Sequence, residues 1–279
     1  MRKVRYFLKL FKIKTLITVL MSLCIFITSV FASSDPADKV NLLSIKDIKT
    51  CVVQLAHWGE KDKKSGMLKG IYPEIFEEFS RRSGIKLNLM LAPYPRVMHF
   101  ILSDDGCDLT ISLPSDAVMD QAKIGVNIWT IKMGIISKPF NHIDKYHHLH
   151  GQNIGLLRGA RISQKFDSDT SFNKVTFVNY SKTLKMLKAD RIDAIAGDIE
   201  IINSIIHHTP KLRDRFSSPL LLTELPLHVI VSSKFRHLQY FPKLNEVFIS
   251  MKDDGTIKKI IYDNLKVLDK PLSFTTKQQ

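Results

Sequence analysis

From residue 49 onward, short apolar runs alternate with segments whose apolar residues recur at helical spacing. Residues 50–56 form a strand-length run, followed by a Lys/Gly-rich loop. Residues 72–83 then set Ile75, Phe76 and Phe79 among Glu77, Glu78, Arg81 and Arg82, a helical period. Pro73 suits the first turn of that helix and Gly84 its C-cap. A strand over 86–91, a helix over 95–103 and a strand over 108–113 complete a β-α-β-α-β series, which implies a parallel sheet with right-handed crossovers. The pattern repeats after Asn153, with strands expected at 154–157, 174–178 and 193–196 and helices at 160–166, 182–188 and 198–207. Strand-like runs at 129–137 and 227–232 flank the second set. Helices over 242–251 and 256–265 follow, broken at Asp253, Asp254 and Gly255, and residues 267–279 read as a polar tail. Two successive units of this kind predict an α/β protein of two lobes.

The N-terminus is of another kind. Arg2, Lys3, Arg5, Lys9, Lys12 and Lys14 precede an apolar stretch over 15–31, and no acid occurs in the first 32 residues. Val30 and Ala32 supply small residues at −3 and −1 of a cleavage site, so residues 1–32 read as a secretory signal peptide. An uncleaved single-span anchor is the alternative, because the stretch is long for a signal. Cys24 does not make a lipoprotein site, since Leu23 precedes it where a small residue is wanted. Part of the formal charge of +14 therefore belongs to the leader. The remainder is basic without a nucleic-acid motif, and export makes DNA or RNA an improbable partner. At 279 residues with 44% hydrophobic, the chain is long enough for a large core, and 12 Gly and 11 Pro exclude collagen and general disorder. No second long apolar run follows, which excludes a polytopic membrane protein.

Five segments resemble, in order and spacing, the family 3 periplasmic solute-binding proteins, the binding subunits of polar amino-acid importers and their relatives. They are residues 70–76 (GIYPEIF), 102–108 (LSDDGCD), 149–159 (LHGQNIGLLRG), 187–198 (LKADRIDAIAGD) and 251–257 (MKDDGTI). Glu74 stands where the family usually has Asp. The resemblance covers residues 45–266 and implies a two-lobed type II binding-protein fold, each lobe a parallel or mixed sheet flanked by helices. The two strand-like runs then become crossovers between lobes. Lobe one is expected over 33–132 and 232–266, and lobe two over 133–231. The implied ligand lies between them, where helix N-termini offer free N–H groups.

The resemblance also points to site residues. Trp58 follows the first strand, where the family often sets an aromatic over the ligand, with rim packing as the alternative. Ser112 matches a strand-end position that meets ligand, or it bonds only to neighbours. Arg158, Gly159, Ala160 and Arg161 form the strand-to-helix turn of lobe two, where the family commonly has small hydroxyl residues at 160 and 161; the arginines are alternatively solvated charges. Asp198 matches the acid that grips an α-ammonium, and it is also a candidate N-cap. The family's carboxylate-clamping arginine is missing from residues 114–123 (PSDAVMDQAK), where Asp120 or Gln121 stands near its place and Lys123 offers only a point charge. Tyr94 and Arg96, opening a helix beside the cleft, are the expected replacement; a surface salt bridge is the alternative for Arg96.

Cys51 and Cys107 remain after cleavage, each at the opening of an expected strand. An oxidising compartment and neighbouring parallel strands favour a disulfide, against two free buried thiols. Tyr146, His147, His148 and His150 lack ligand-spaced carboxylates or cysteines, so no metal is assigned. The basic stripe Lys182, Lys185 and Lys188 reads first as a solvated helix face, with an anionic membrane or polymer as the lesser alternative. No cofactor is implied. The functional expectation is a periplasmic, monomeric, non-enzymatic protein that captures a small polar solute and delivers it to the permease of an ABC importer. A sensor module reporting to a membrane receptor and a cyclohexadienyl-dehydratase-like enzyme are the alternatives. For the enzyme, only His57 and Glu60 offer an acid or base near the cleft.

Overall fold

The computed structural model describes residues 45–141, 143–210 and 216–266. The expected signal peptide and polar tail lie outside these residues. Two short strands, β2 (Glu60–Lys61) and β3 (Leu68–Lys69), form a hairpin. The other eight make one mixed sheet. Its first half is β4 (Lys86–Ala92), β1 (Asp47–Val53) and β5 (Leu109–Ser112), all parallel. Its second half is β9 (Ala194–Asp198), β7 (Asn153–Leu157) and β8 (Asn173–Phe177), again all parallel. Two long strands, β6 (Ala122–Ser137) and β10 (Leu220–Ser232), pair antiparallel with each other and carry the sheet from one half to the other. These are the expected crossovers. They run seven residues earlier at each start than the apolar pattern indicated.

The helices follow the β-α alternation. In the first half, α1 (Ile71–Ser83) buries Ile75, Phe76 and Phe79 on one face and ends at Gly84, whose φ of 72° meets the left-handed C-cap. Next come α2 (Tyr94–Leu102) and a short α3 (Asp116–Gln121), the latter unanticipated. The second half adds α4 (Gln164–Ser168), α5 (Tyr180–Lys188) and α6 (Ile199–His207). The C-terminal α7 (Phe241–Asp253) and α8 (Thr256–Leu265) return to α1: Phe79 stacks on Phe248 at 4.5 Å, and Arg82 reaches Asp254 at 2.6 Å and Thr256 at 2.8 Å.

A disulfide joins Cys51 to Cys107 across 5.7 Å between Cα atoms. Cys51 lies inside β1 and Cys107 two residues before β5, so the bond ties a strand to the loop entering its neighbour. Among the described residues, no helix is long and apolar enough to cross a membrane.

Candidate functional site

The turn after β1 meets the C-terminal end of β9 where Trp58 reaches Asp198. That turn is forced into place by a close backbone contact. His57 adopts φ 63°, and Gly70 opens α1 at φ 112° with its Cα facing the carbonyls of His57 and Trp58. A Cβ at residue 70 would lie 2.8 Å from the His57 oxygen, so glycine is required there. The N–H groups of Ile71 and Tyr72 donate to those same carbonyls at 2.9 and 2.8 Å. This brace buries Trp58 to 1% exposure against the Tyr72 ring, 5.0 Å between centroids.

From the second half, β9 delivers Asp198 as the N-cap of α6. Its Oδ1 accepts from the N–H groups of Glu200 at 3.0 Å and Ile201 at 3.2 Å. Its own N–H donates to the Tyr180 hydroxyl at 3.0 Å. That hydroxyl reaches in because residue 197 is glycine, where a Cβ would lie 2.3 Å from it. The second carboxylate oxygen, Oδ2, accepts a 3.4 Å hydrogen bond from the Trp58 indole. One side chain from each half-sheet is thus engaged across the junction.

Asp198 is 4% exposed. Burial, and then the negative charge of Glu200, push its carboxyl up to about 7, against the pull of its N–H donors. Burial and the same carboxylate raise the Tyr72 and Tyr180 hydroxyls well above the ordinary phenol value. Glu200 has its own indole: Trp129, on β6, donates to it at 3.2 Å, and Lys132 lies 4.0 Å away. Burial raises the Glu200 carboxyl too, opposed by Trp129 and Lys132. The Trp129 ring stands edge-on to Tyr262 of α8 at 5.9 Å. Both tryptophans of the chain therefore donate to carboxylates at the N-terminal end of α6, its cap and its second residue.

A basic pole lies apart from this acidic one. Tyr94 is the first residue of α2 and donates its hydroxyl to the Leu113 carbonyl at 3.2 Å. Burial raises its pKa, while the charge of Arg161, from the second half, favours the phenolate. Arg96 is exposed on α2 and enters no ion pair among the described residues. Ser112 is buried at the end of β5 opposite His228. Arg158, Gly159, Ala160 and Arg161 form an extended turn, since α4 begins only at Gln164 under a Ser163 N-cap. This corrects the helix expected at 160–166: Gly159 at φ 76° turns the chain, and three more residues pass before the Ser163 cap. The N–H groups of Arg158 and Ala160 go to Phe177 and Leu157, so they are not an open helix terminus. Residues 116–121, where the clamping arginine was sought, form α3 with Asp120 and Gln121 exposed.

Thus the structure joins Trp58 to Asp198 and sets Tyr94 near Arg161. It leaves Arg96, Arg158 and Arg161 at the surface. Tyr72, Tyr180, Trp129 and Glu200 were missed; only the helix-opening position of Glu200 gave any local hint. Elsewhere, a groove of about 730 Å³ runs along β4, lined in part by Met67, Leu87, Leu89 and Met90, with none of these groups in it. We assign the candidate site to the junction, where convergent ionisable and aromatic groups sit, and not to the β4 groove.

No protein-family model and no curated protein matches the sequence. Among solved structures, the chain is similar to an amino acid ABC transporter substrate-binding protein, AbpA, from Streptococcus pneumoniae bound to L-arginine. Identity is 14%, over 84% of this chain and 100% of that one, with a TM-score of 0.63. The periplasmic VFT2 domain of Bordetella pertussis BvgS matches at 16% identity over 80% and 94%, TM-score 0.63. An ancestral amino acid-binding protein, AncCDT-1, a precursor of cyclohexadienyl dehydratase, matches at 15% over 80% and 96%, TM-score 0.63. The chain has the mixed α/β fold of the two-lobed periplasmic amino acid-binding proteins. At these identities the likeness is one of fold.

Proposed function

We propose that this chain is an extracytoplasmic binding protein that captures a small amine-bearing solute between its two lobes and delivers it to an ABC-type importer. The observation that carries this reading is the bond from Trp58 to Asp198 across the junction. A buried carboxyl raised to about 7 gains most from a cation, because a cation alone compensates its desolvation. An ammonium arriving at Oδ2 replaces the long indole bond with a charge-assisted one. Trp58 and Tyr72 then offer ring faces to the same cation. Arg161, beside Tyr94, is the group to receive an anionic part of the ligand, in place of the absent arginine. Lobe one comprises 33–132 and 232–266, lobe two 133–231, and they close about β6 and β10.

A sensor that reports to a membrane receptor is the second reading, and the same contact favours it. A junction that engages its own indole turns ligand arrival into an exchange of contacts, which a receptor can read. Permease and ATPase genes beside this one support import; a lone receptor gene supports sensing.

A thermal-shift screen of residues 33–279 against amines, amino acids, polyamines and organic acids tests the proposal. Ligand at about 100 times its Kd stabilises by about 2.7 kcal/mol. Amine-bearing hits that Asp198→Ala abolishes are the expected result. Hits confined to organic acids, or hits indifferent to Asp198→Ala, refute it.

A further inference from the structure

The far end of the second half-sheet carries a feature the binding reading does not use. β6 ends at Ser137, and a turn follows in which the Asn141 N–H donates to the Lys138 carbonyl at 3.0 Å. Pro139 and Phe140 are its two central residues. The turn is braced: the Ser137 hydroxyl donates to the Asn141 carbonyl at 2.8 Å, and the Asn141 amide donates to the Asp193 carbonyl at 3.1 Å. Phe140 at its tip is nevertheless 76% exposed, the most exposed large apolar side chain described. A rigid turn that presents a phenylalanine to water costs solvation it could avoid with a polar residue.

Its surroundings are cationic. The Lys138 amino group lies 5.5 Å from the Phe140 ring centre, donates to the Lys188 carbonyl and pairs with Asp190. The turn is thereby fastened to the C-terminal end of α5. Along that helix Tyr180, Thr183, Leu184 and Leu187 face the core, which leaves Lys182, Lys185 and Lys188 together on the exposed arc. None of the three has an acidic partner among the described residues. Arg191, also exposed, follows one turn on. Asp190 is paired with Lys138, and Asp144 beyond the turn is engaged with His148.

We propose that this face, the Phe140 turn with the α5 lysines, is a docking surface for an anionic lipid bilayer. Charge complementarity argues for a lipid partner: the cations repeat along a helix with no interleaved acid, which suits a diffuse anionic plane better than a shaped protein epitope. The single aromatic at a braced tip suits insertion at the headgroup boundary, with lysine stems lying along the surface. The apolar stretch over 15–31 reads as a leader or an anchor, and either one takes a chain to a membrane. The turn sits at the Ala194 end of β9, one strand length, about 13 Å, from Asp198 at the other end, so docking leaves the junction open.

Flotation of residues 33–279, which contain every described element, with phosphatidylglycerol or phosphatidylcholine vesicles tests this. Binding to phosphatidylglycerol alone, weakened by salt, is the expected result. Reversal of Lys182, Lys185 and Lys188 to Glu should lower it by about tenfold or more. Phe140→Ser should weaken it severalfold with the salt dependence unchanged, and Phe140→Trp should blue-shift on the anionic vesicles. All three variants should keep the wild-type melting temperature. Absence of binding to phosphatidylglycerol, or binding that ignores the lysine reversal, overturns the proposal. Binding to untreated but not protease-treated native membranes, with phosphatidylglycerol vesicles ignored, also overturns it and gives the face to a protein partner.

Discussion

The two tryptophans perform the same chemistry in different mechanical settings. Trp129 and Glu200 join a crossing strand to the helix beside it, and Lys132 lies close enough to share the charge. Trp58 and Asp198 join the first half-sheet to the second, and among the described residues no cationic side chain stands beside the carboxylate. The first pair is locally compensated and fixes the approach of α6 to β6. The second is buried with only neutral donors, which is why its carboxyl climbs to about 7. A carboxylate that lacks a counter-charge inside the fold is the one a cationic ligand can serve.

Breaking this contrast should give effects of graded size. Asp198→Ala should erase the ligand-induced stabilisation of about 2.7 kcal/mol, while Glu200→Gln keeps most of it; thermal shifts at fixed ligand excess compare the two. Next comes pH. Between about pH 4 and 7 the folded Asp198 holds a proton that the unfolded chain, at 3.8, has released. Stability therefore falls as pH rises through that window, and the loss is complete above it. Asp198→Asn should flatten this slope in urea titrations; its amide oxygen keeps the cap, while its amide nitrogen faces the Trp58 N–H and forgoes that bond. Glu200→Gln should lower the Asp198 pKa and leave a shallower slope. Smallest is Trp129→Phe, which keeps the ring against Tyr262 but removes one hydrogen bond. It should cost about 1 kcal/mol of stability and leave ligand affinity unchanged in calorimetry.

Much of the fold was readable where local rules and tertiary demands agree. The helix at 256–265 is found at those residues, and Gly84 ends α1 as its type predicts. The half-sheets' short buried strands also stand within a few residues of their apolar runs. The early part of β6 was hidden because Lys123, Gly125 and Asn127 interrupt its apolar pattern; they are held there by β10 and by Asn245, whose amide oxygen accepts from the Val126 N–H at 2.7 Å. The helix at 160–166 was misplaced because Ile162 and Phe166 keep helical spacing across a stretch that is half extended.

The site divides along the same line. Trp58 and Asp198 were each nominated separately by resemblance, but their contact spans 140 residues of sequence. Tyr180 reaches Asp198 only because Gly197 leaves room, and Trp129 meets Glu200 only through the pairing of β6 with β9. No local spacing encodes those meetings.

The central claim is that an amine takes the place of the Trp58 indole at Asp198. Its most direct test is calorimetric titration of a screened amine ligand near pH 6, in two buffers of different ionisation enthalpy. Asp198 is then mostly protonated, and the ammonium must drive its proton off. The account predicts release of nearly one proton per ligand bound, and none from Asp198→Asn. Tight amine binding without proton release, retained in Asp198→Asn, would contradict it.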